Sequence, residues 1–273
     1  MIPARFDYHR AADAAHALAL LGELGDEAKL LAGGHSLVPL MKLGLAQPAA
    51  LVDVGDVREL SYVDERDGVL AVGALTRYRD IERSELARRL VPILAHATGR
   101  IGDPQVRARG TIGGSLAHGD PAADLPAVAV ATGAVMVVRG PGGERHVPAR
   151  EFFRGFLETA LQPDEMLVEV RFPASGVEPW AYEKFSRRAQ DYAIVGVAVV
   201  RGPEPGIALV NMDSTPVFCA AASAALGRGE EARAVAELAA ADGRPPSDLN
   251  GDGAYRRHLA RVLTERAVRA AAI

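Results

Sequence analysis

The sequence predicts an α+β chain in two parts, a mixed α/β domain over residues 1–175 and a smaller α+β domain over residues 176–273. Three observations carry this reading. Short apolar runs alternate with helical patterns through the first part. The segment Ala174-Ser175-Gly176-Val177-Glu178-Pro179 has the composition of a linker. Beyond it, three strand-like runs come first and three helices close the chain.

The elements follow in order. Residues 11–24 form an amphipathic helix with Ala14, Leu18 and Leu21 on one face. Residues 28–32 are a buried strand stopped by Gly33-Gly34, and Ser36 is placed to cap a helix over 37–45 that Gln47-Pro48 ends. Residues 51–54 and 69–72 are strands separated by Asp/Gly turns. Thr76 caps a helix over 77–83, and 84–97 continue as helix with a break near Pro92. Residues 99–119 are glycine-rich, lack hydrophobic periodicity and are expected to be loop. Asp124-Leu125-Pro126 opens a helix ending near Gly133. Residues 135–138 and 144–147 form a hairpin, and 166–172 are a strand running into Pro173. In the second part, strands are expected over 181–185, 194–200 and 207–212, then helices over 217–226, 230–240 and 255–269.

The balance of 49% hydrophobic and 24% charged residues is that of a globular protein able to bury a core without staples. Cys219, the single cysteine, excludes an internal disulfide and any cluster or zinc site built from several thiolates of this chain. Net charge is −4 with no basic block, so nucleic-acid binding has no electrostatic footprint. The first ten residues carry Arg5, Asp7 and Arg10 and lack the apolar stretch of a signal peptide. The longest apolar run, 125–138, is interrupted by Pro126, Thr132 and Gly133 and falls short of the roughly 20 residues that span a bilayer. A cytoplasmic protein without a membrane span is expected.

Two segments carry the chemistry. Ala32-Gly33-Gly34-His35-Ser36-Leu37 and Gly110-Thr111-Ile112-Gly113-Gly114-Ser115 each set adjacent glycines and a hydroxyl residue just after an apolar run. Glycine permits positive φ and removes the Cβ, so backbone N–H groups can converge on an anion. Two such loops suit a pyrophosphate. Each pair taken alone reads as well as a tight turn. Neither matches Gly-x-Gly-x-x-Gly or a P-loop, which disfavours a conventional Rossmann site and an ATPase. Downstream, Asp120 and Asp124 are carboxylates within reach of ribose hydroxyls, although Asp124 reads equally as a helix N-cap. His35 and His118 belong to no nucleophile–histidine–acid set.

Together these segments resemble the FAD-binding medium subunit of the carbon monoxide dehydrogenase and xanthine dehydrogenase flavoprotein family. The opening Ile2-Pro3-Ala4-Arg5-Phe6-Asp7-Tyr8, the run Leu31 to Met41, the stretch Gly110 to Pro126 and the run Lys184-Phe185-Ser186-Arg187-Arg188-Ala189-Gln190-Asp191-Tyr192-Ala193 carry the resemblance. It spans almost the whole chain. It implies a vanillyl-alcohol-oxidase-type FAD domain of two α/β subdomains, followed by a small three-stranded sheet with helices. It implies non-covalent FAD, with its phosphates on Ala32, Gly33, Gly34, His35, Ser36 and Leu37 and on Thr111, Gly114 and Ser115, and its ribose on Asp124. Ile101, Leu167 and Lys184 would line the flavin, and Tyr192 would cover one face of it. On physical grounds alone Ile101 and Leu167 read as core, and Lys184 as a solvated strand residue.

The family context implies an oxidoreductase subunit with no catalytic base of its own. Electrons would come from two [2Fe–2S] clusters in a small partner subunit, beyond a molybdenum cofactor in a large one, and leave to NAD, a quinone or oxygen. A dimer of heterotrimers is the implied assembly. One branch of the family holds an extra cluster on inserted cysteines, which Cys219 alone cannot ligate. A stand-alone flavin oxidase or reductase of the same superfamily, and a flavin-free scaffold subunit, are the rival readings.

Overall fold

The computed structural model of the chain describes residues 2–174 and 178–272, so half of the expected linker, residues 175–177, lies outside the described residues. The chain opens with β1 (Asp7–Arg10), α1 (Ala14–Leu24), β2 (Ala28–Leu31), α2 (Leu37–Leu43) and β3 (Ala50–Asp53). The three strands form a parallel sheet in the order β1-β3-β2. Helix α1 starts at Ala14 because the Asp13 carboxylate accepts the His16 amide, and it buries Ala14, Ala17 and Leu21.

A second sheet follows: β4 (Val63–Arg66), β5 (Val69–Gly73), then helices α3 (Tyr78–Arg83), α4 (Glu85–Leu90), α5 (Pro92–Gly99), α6 (Pro104–Arg109), α7 (Ile112–His118) and α8 (Asp124–Thr132). The chain returns through β6 (Val135–Gly140), β7 (Gly143–Pro148), α9 (Ala149–Phe152), the short hairpin β8 (Phe153–Gly155) and β9 (Glu158–Thr159), and β10 (Met166–Pro173). The sheet is antiparallel, ordered β4-β5-β10-β6-β7. A bulge in β10 puts Leu167 opposite Val138 and Glu169 opposite Val137, so Val168 is the extra residue. Met166 and Val168 therefore face the first sheet's core, whereas Leu167, Val170 and Phe172 face the central one.

The last part holds β11 (Trp180–Phe185), β12 (Val195–Val200), β13 (Gly206–Val210), β14 (Val217–Phe218), α10 (Ala220–Gly227), α11 (Ala232–Ala241) and α12 (Gly253–Ala270). Its sheet runs β11-β12-β13-β14, antiparallel throughout. Strand alternation sends Val197, Val199, Ile207 and Leu209 against α10–α12. The same alternation sends Ala198, Val200, Ala208 and Val210 into the central core with α5 and α8. Helix α8 is buried from Asp124 to Ala131 and packs against β12 and β13 on one side and β10 on the other.

The expected architecture is present: two α/β subdomains, then three long antiparallel strands with helices, to which the two residues of β14 add an edge where a helix was expected from 217. Other expectations fail locally. The glycine-rich stretch 99–119 is not loop but carries α6 and α7, of six and seven residues. Under two turns leave no periodicity to read, yet Asp103 and Thr111 cap them by accepting the Val106 and Gly114 amides. Ser36 makes no capping bond, and α2 ends at Gly44 in the left-handed region rather than at Gln47-Pro48. Thr76 does not cap α3 either, because its hydroxyl is bonded to the Tyr62 backbone at 2.8 and 3.0 Å.

Gly206 is where α8 meets the last sheet, since a Cβ there would overlap the Ala131 carbonyl oxygen. Gly206→Ala should lower unfolding stability by about 3 kcal/mol through overpacking. Denaturant titration checks this, and a midpoint equal to the parent's would mean that helix and sheet part freely.

Candidate functional site

Parallel strands β2 and β3 end at one rim, the position where α/β sheets place ligands. Just beyond β2, the amides of Gly33, Gly34, His35, Ser36 and Leu37 donate no hydrogen bond within the chain among the described residues; the first to do so is Val38, to the Gly34 carbonyl at 3.1 Å. Gly34 has φ +76°, which turns this run of donors toward open space. These residues line a cleft of about 860 Å³ together with Thr111, Gly113, Gly114, Ser115 and Leu167. Five successive N–H groups without acceptors in the lining of one cleft suit an anion, and the cleft is large enough for a dinucleotide.

The second glycine loop is built differently. Gly113 N–H donates to the Ala74 carbonyl at 2.8 Å, Ile112 N–H to that of Thr76 at 3.2 Å, and Gly114 N–H to the Thr111 hydroxyl at 3.1 Å. Apart from that of Thr111, its amides are thus committed to the fold. Here the missing Cβ atoms permit packing: one on Gly113 would lie 2.5 Å from the Ala74 Cβ, and one on Gly33 would lie 3.0 Å from the Gly110 Cα. The two loops touch through glycines. Arg77, half-buried behind them, donates to the Arg109 carbonyl and, at 3.4 Å, to the Gly55 carbonyl. Burial and then the charge of Arg109 lower its pKa. Tyr78 fills the space beside Gly110, and burial pushes its phenol up to about 12, with the nearby Ser115 hydroxyl opposing.

Asp124 and Lys184 are brought together as a buried pair outside the lining of this cleft. Lys184 Nζ lies 2.9 Å from Asp124 Oδ2 and 3.2 Å from the Arg100 carbonyl, and both side chains are at most 4% exposed. The Tyr182 hydroxyl donates to the other carboxylate oxygen. Burial pushes the Asp124 carboxyl up, opposed by the Lys184 charge and the Tyr182 hydrogen bond. Asp124 sits in the first turn of α8 but caps nothing, and Lys184 is buried rather than solvated. By holding the Arg100 carbonyl, Lys184 also fixes the approach to Ile101, which is half-buried against the central core.

Asp120 and Tyr192 line a second cleft, of about 970 Å³, with Gly102, Arg187, Arg188 and Asn211. Asp120 Oδ1 accepts the Ala122 amide at 2.8 Å. Tyr192 is 57% exposed, and its pKa is raised by crowding and the Asp120 charge, with the Ser36 hydroxyl opposing. Neighbouring residues at the tip of the β8–β9 hairpin line the two clefts, Phe156 the second and Leu157 the first. Tyr192 stands beside the first glycine loop, next to the Ser36 hydroxyl. His35 is exposed on the same loop. Sequence reasoning missed Arg77, Tyr78 and Tyr182. Only Tyr182 had a signal, because i and i+2 on a strand share a face with Lys184.

Residues 4–175 match the family described as the FAD binding domain in molybdopterin dehydrogenase, and residues 180–271 the CO dehydrogenase flavoprotein C-terminal domain. The chain is 43% identical to the carbon monoxide dehydrogenase medium chain of Hydrogenophaga pseudoflava, covering 99% of this chain and 98% of that one. It is 38% identical to subunit alpha of the 6-hydroxypseudooxynicotine dehydrogenase complex of Paenarthrobacter nicotinovorans, over 97% and 94% of the two chains. A solved chain of carbon monoxide dehydrogenase from Hydrogenophaga pseudoflava superposes with a TM-score of 0.96 at 44% identity, covering 99% and 98%.

Lys184→Met strands the Asp124 carboxylate and should cost about 3–5 kcal/mol of unfolding free energy. Adding Asp124→Asn should recover much of that loss, so a double-mutant cycle by denaturant titration gives a large coupling. Additive losses would mean that the two side chains act independently.

Proposed function

This chain belongs to the FAD-binding flavoprotein family of the molybdopterin dehydrogenases, and on that premise we propose that it is the flavin-bearing electron-transfer subunit of a molybdenum hydroxylase complex. The run of uncommitted amides from Gly33 to Leu37, opening into a cleft of dinucleotide size, is the observation that carries the reading. Bound FAD supplies a centre able to exchange electrons singly or in pairs.

The chain's own residues bind, orient and shield. The amides of Gly33–Leu37 take the pyrophosphate, while Thr111, Gly114 and Ser115 close the other side of the same cleft. Asp120 lines the cleft beside Tyr192, whereas the buried Asp124–Lys184 pair lines neither cleft. Leu167 offers apolar contact in the first cleft, Ile101 packs against the central core and lines neither cleft, and Tyr192 gives a flat amphipathic ring that covers the flavin. A phenol is neutral at physiological pH and its raised pKa only widens that margin, so no charge is stacked on the ring. His35 stands with the phosphate cradle, which favours non-covalent FAD.

Electrons would enter from [2Fe–2S] clusters of a small subunit, and leave to NAD, a quinone or oxygen. The molybdenum cofactor and the substrate would lie on a large subunit. Relatives of nearly equal length carry names as different as carbon monoxide and 6-hydroxypseudooxynicotine dehydrogenase, which fits a chain that does not select the substrate. A dimer of heterotrimers in the cytoplasm, with domains divided at 175/176, completes the proposal. None of the helices is long and apolar enough to cross a membrane, among the described residues.

The purified chain should show flavin absorbance that acid precipitation releases completely. His35→Glu, at an exposed position, places a carboxylate on the phosphate cradle and should weaken FAD binding about tenfold, more at low salt than at high. Fluorescence titration at two salt concentrations checks it. Unchanged affinity would move the phosphates away from this loop, and a colourless chain that cannot be reconstituted would end the proposal.

A further inference from the structure

Tyr192 is exposed, yet the two residues after it are among the most firmly held in the molecule. Ala193 and Ile194 are 2% and 5% exposed. They end the connection between β11 and β12, where the Ile194 amide donates to the Phe185 carbonyl at 2.8 Å. Two side chains from distant elements take the carbonyls that remain. Asn211, just after β13, donates from Nδ2 to the Ala193 carbonyl at 2.8 Å. Arg256, wholly buried on α12, donates to the Ile194 carbonyl and pairs with Asp248 at 2.7 Å.

Asn211 does more than its neighbour. Its own amide donates to the Pro121 carbonyl at 2.8 Å, in the turn that carries Asp120. Its backbone is left-handed, with φ +61°, a conformation that asparagine tolerates better than other residues with a side chain. One residue therefore joins the segment that carries Tyr192 to the turn before α8, at a small backbone cost that the two bonds offset. Phe185 and Ile194 alone would leave an eight-residue connection free to shift.

We propose that Asn211 is a positioning residue: it sets where Tyr192 stands over the cofactor cleft by clamping the Ala193 carbonyl to the Pro121 turn, with Arg256 fixing the adjoining carbonyl. This rests on the reading that Tyr192 covers the flavin. Asn211→Gly keeps the left-handed backbone and removes only the side-chain bond. Asn211→Asp keeps the shape but turns a donor toward the carbonyl into an acceptor.

The test is the fluorescence of FAD bound to the full-length chain, since an aromatic ring stacked on flavin quenches it, read beside the thermal midpoint and the FAD dissociation constant. Tyr192→Ala should raise bound-flavin fluorescence several-fold. Asn211→Gly and Asn211→Asp should each raise it about twofold or more with little change in midpoint, and neither should add to the effect of Tyr192→Ala. If Tyr192→Ala changes nothing, the reading of Tyr192 as the flavin cover fails. If it raises fluorescence while both Asn211 variants match the parent, or if their effects add to it, the positioning role is overturned.

Discussion

A carboxylate without access to water, on a helix without a polar face, is the constraint around which this chain is arranged. Helix α8 is buried on every side, so the charge of Asp124 at its start is tolerable only with partners delivered to it. Both come from β11, in the other part of the chain: the ammonium of Lys184 and the hydroxyl of Tyr182. The first part thus cannot satisfy its own central helix. The apolar side tells the same story, because the core that holds α5 and α8 runs on into Ala198, Val200, Ala208 and Val210 of the last sheet. The Arg100 carbonyl shares Lys184, so the ion pair that joins the parts also holds the approach to Ile101.

Two glycine pairs that look alike in sequence perform different physical work. At Gly33-Gly34 the backbone turns through a positive φ and leaves five donors uncommitted. At Gly113-Gly114 the donors are spent on Ala74 and Thr111, and the absent side chain lets α7 lie against the end of β5. The second loop shapes and closes the cleft that the first one charges. Arg77 behind both keeps them in contact through the Arg109 carbonyl.

Much of this was legible in the sequence, for reasons that differ by element. Strands β5, β10, β12 and β13 are apolar runs of the length a buried strand requires, and α8 is bounded by Asp124 and the left-handed Gly133. The first loop was legible because glycine, hydroxyl and strand end fall together. Helices α6 and α7 were not, being too short to show a period. Capping at Ser36 and Thr76 failed because a hydroxyl goes to whichever partner tertiary structure offers, which for Thr76 is Tyr62. Arg77 and Arg256 carry no signal in the sequence. Only the assembled fold reveals that each is directed at backbone carbonyls far away in sequence.

Three phenols of this region share a direction. Tyr78, Tyr182 and Tyr192 are all pushed above the ordinary phenol value, in each case first by burial. A phenol is neutral at physiological pH already, and these shifts only widen the margin. The phenols contribute shape and hydrogen bonds. The fixed Asp124–Lys184 pair contributes a dipole whose strength depends on the fold and not on the solvent.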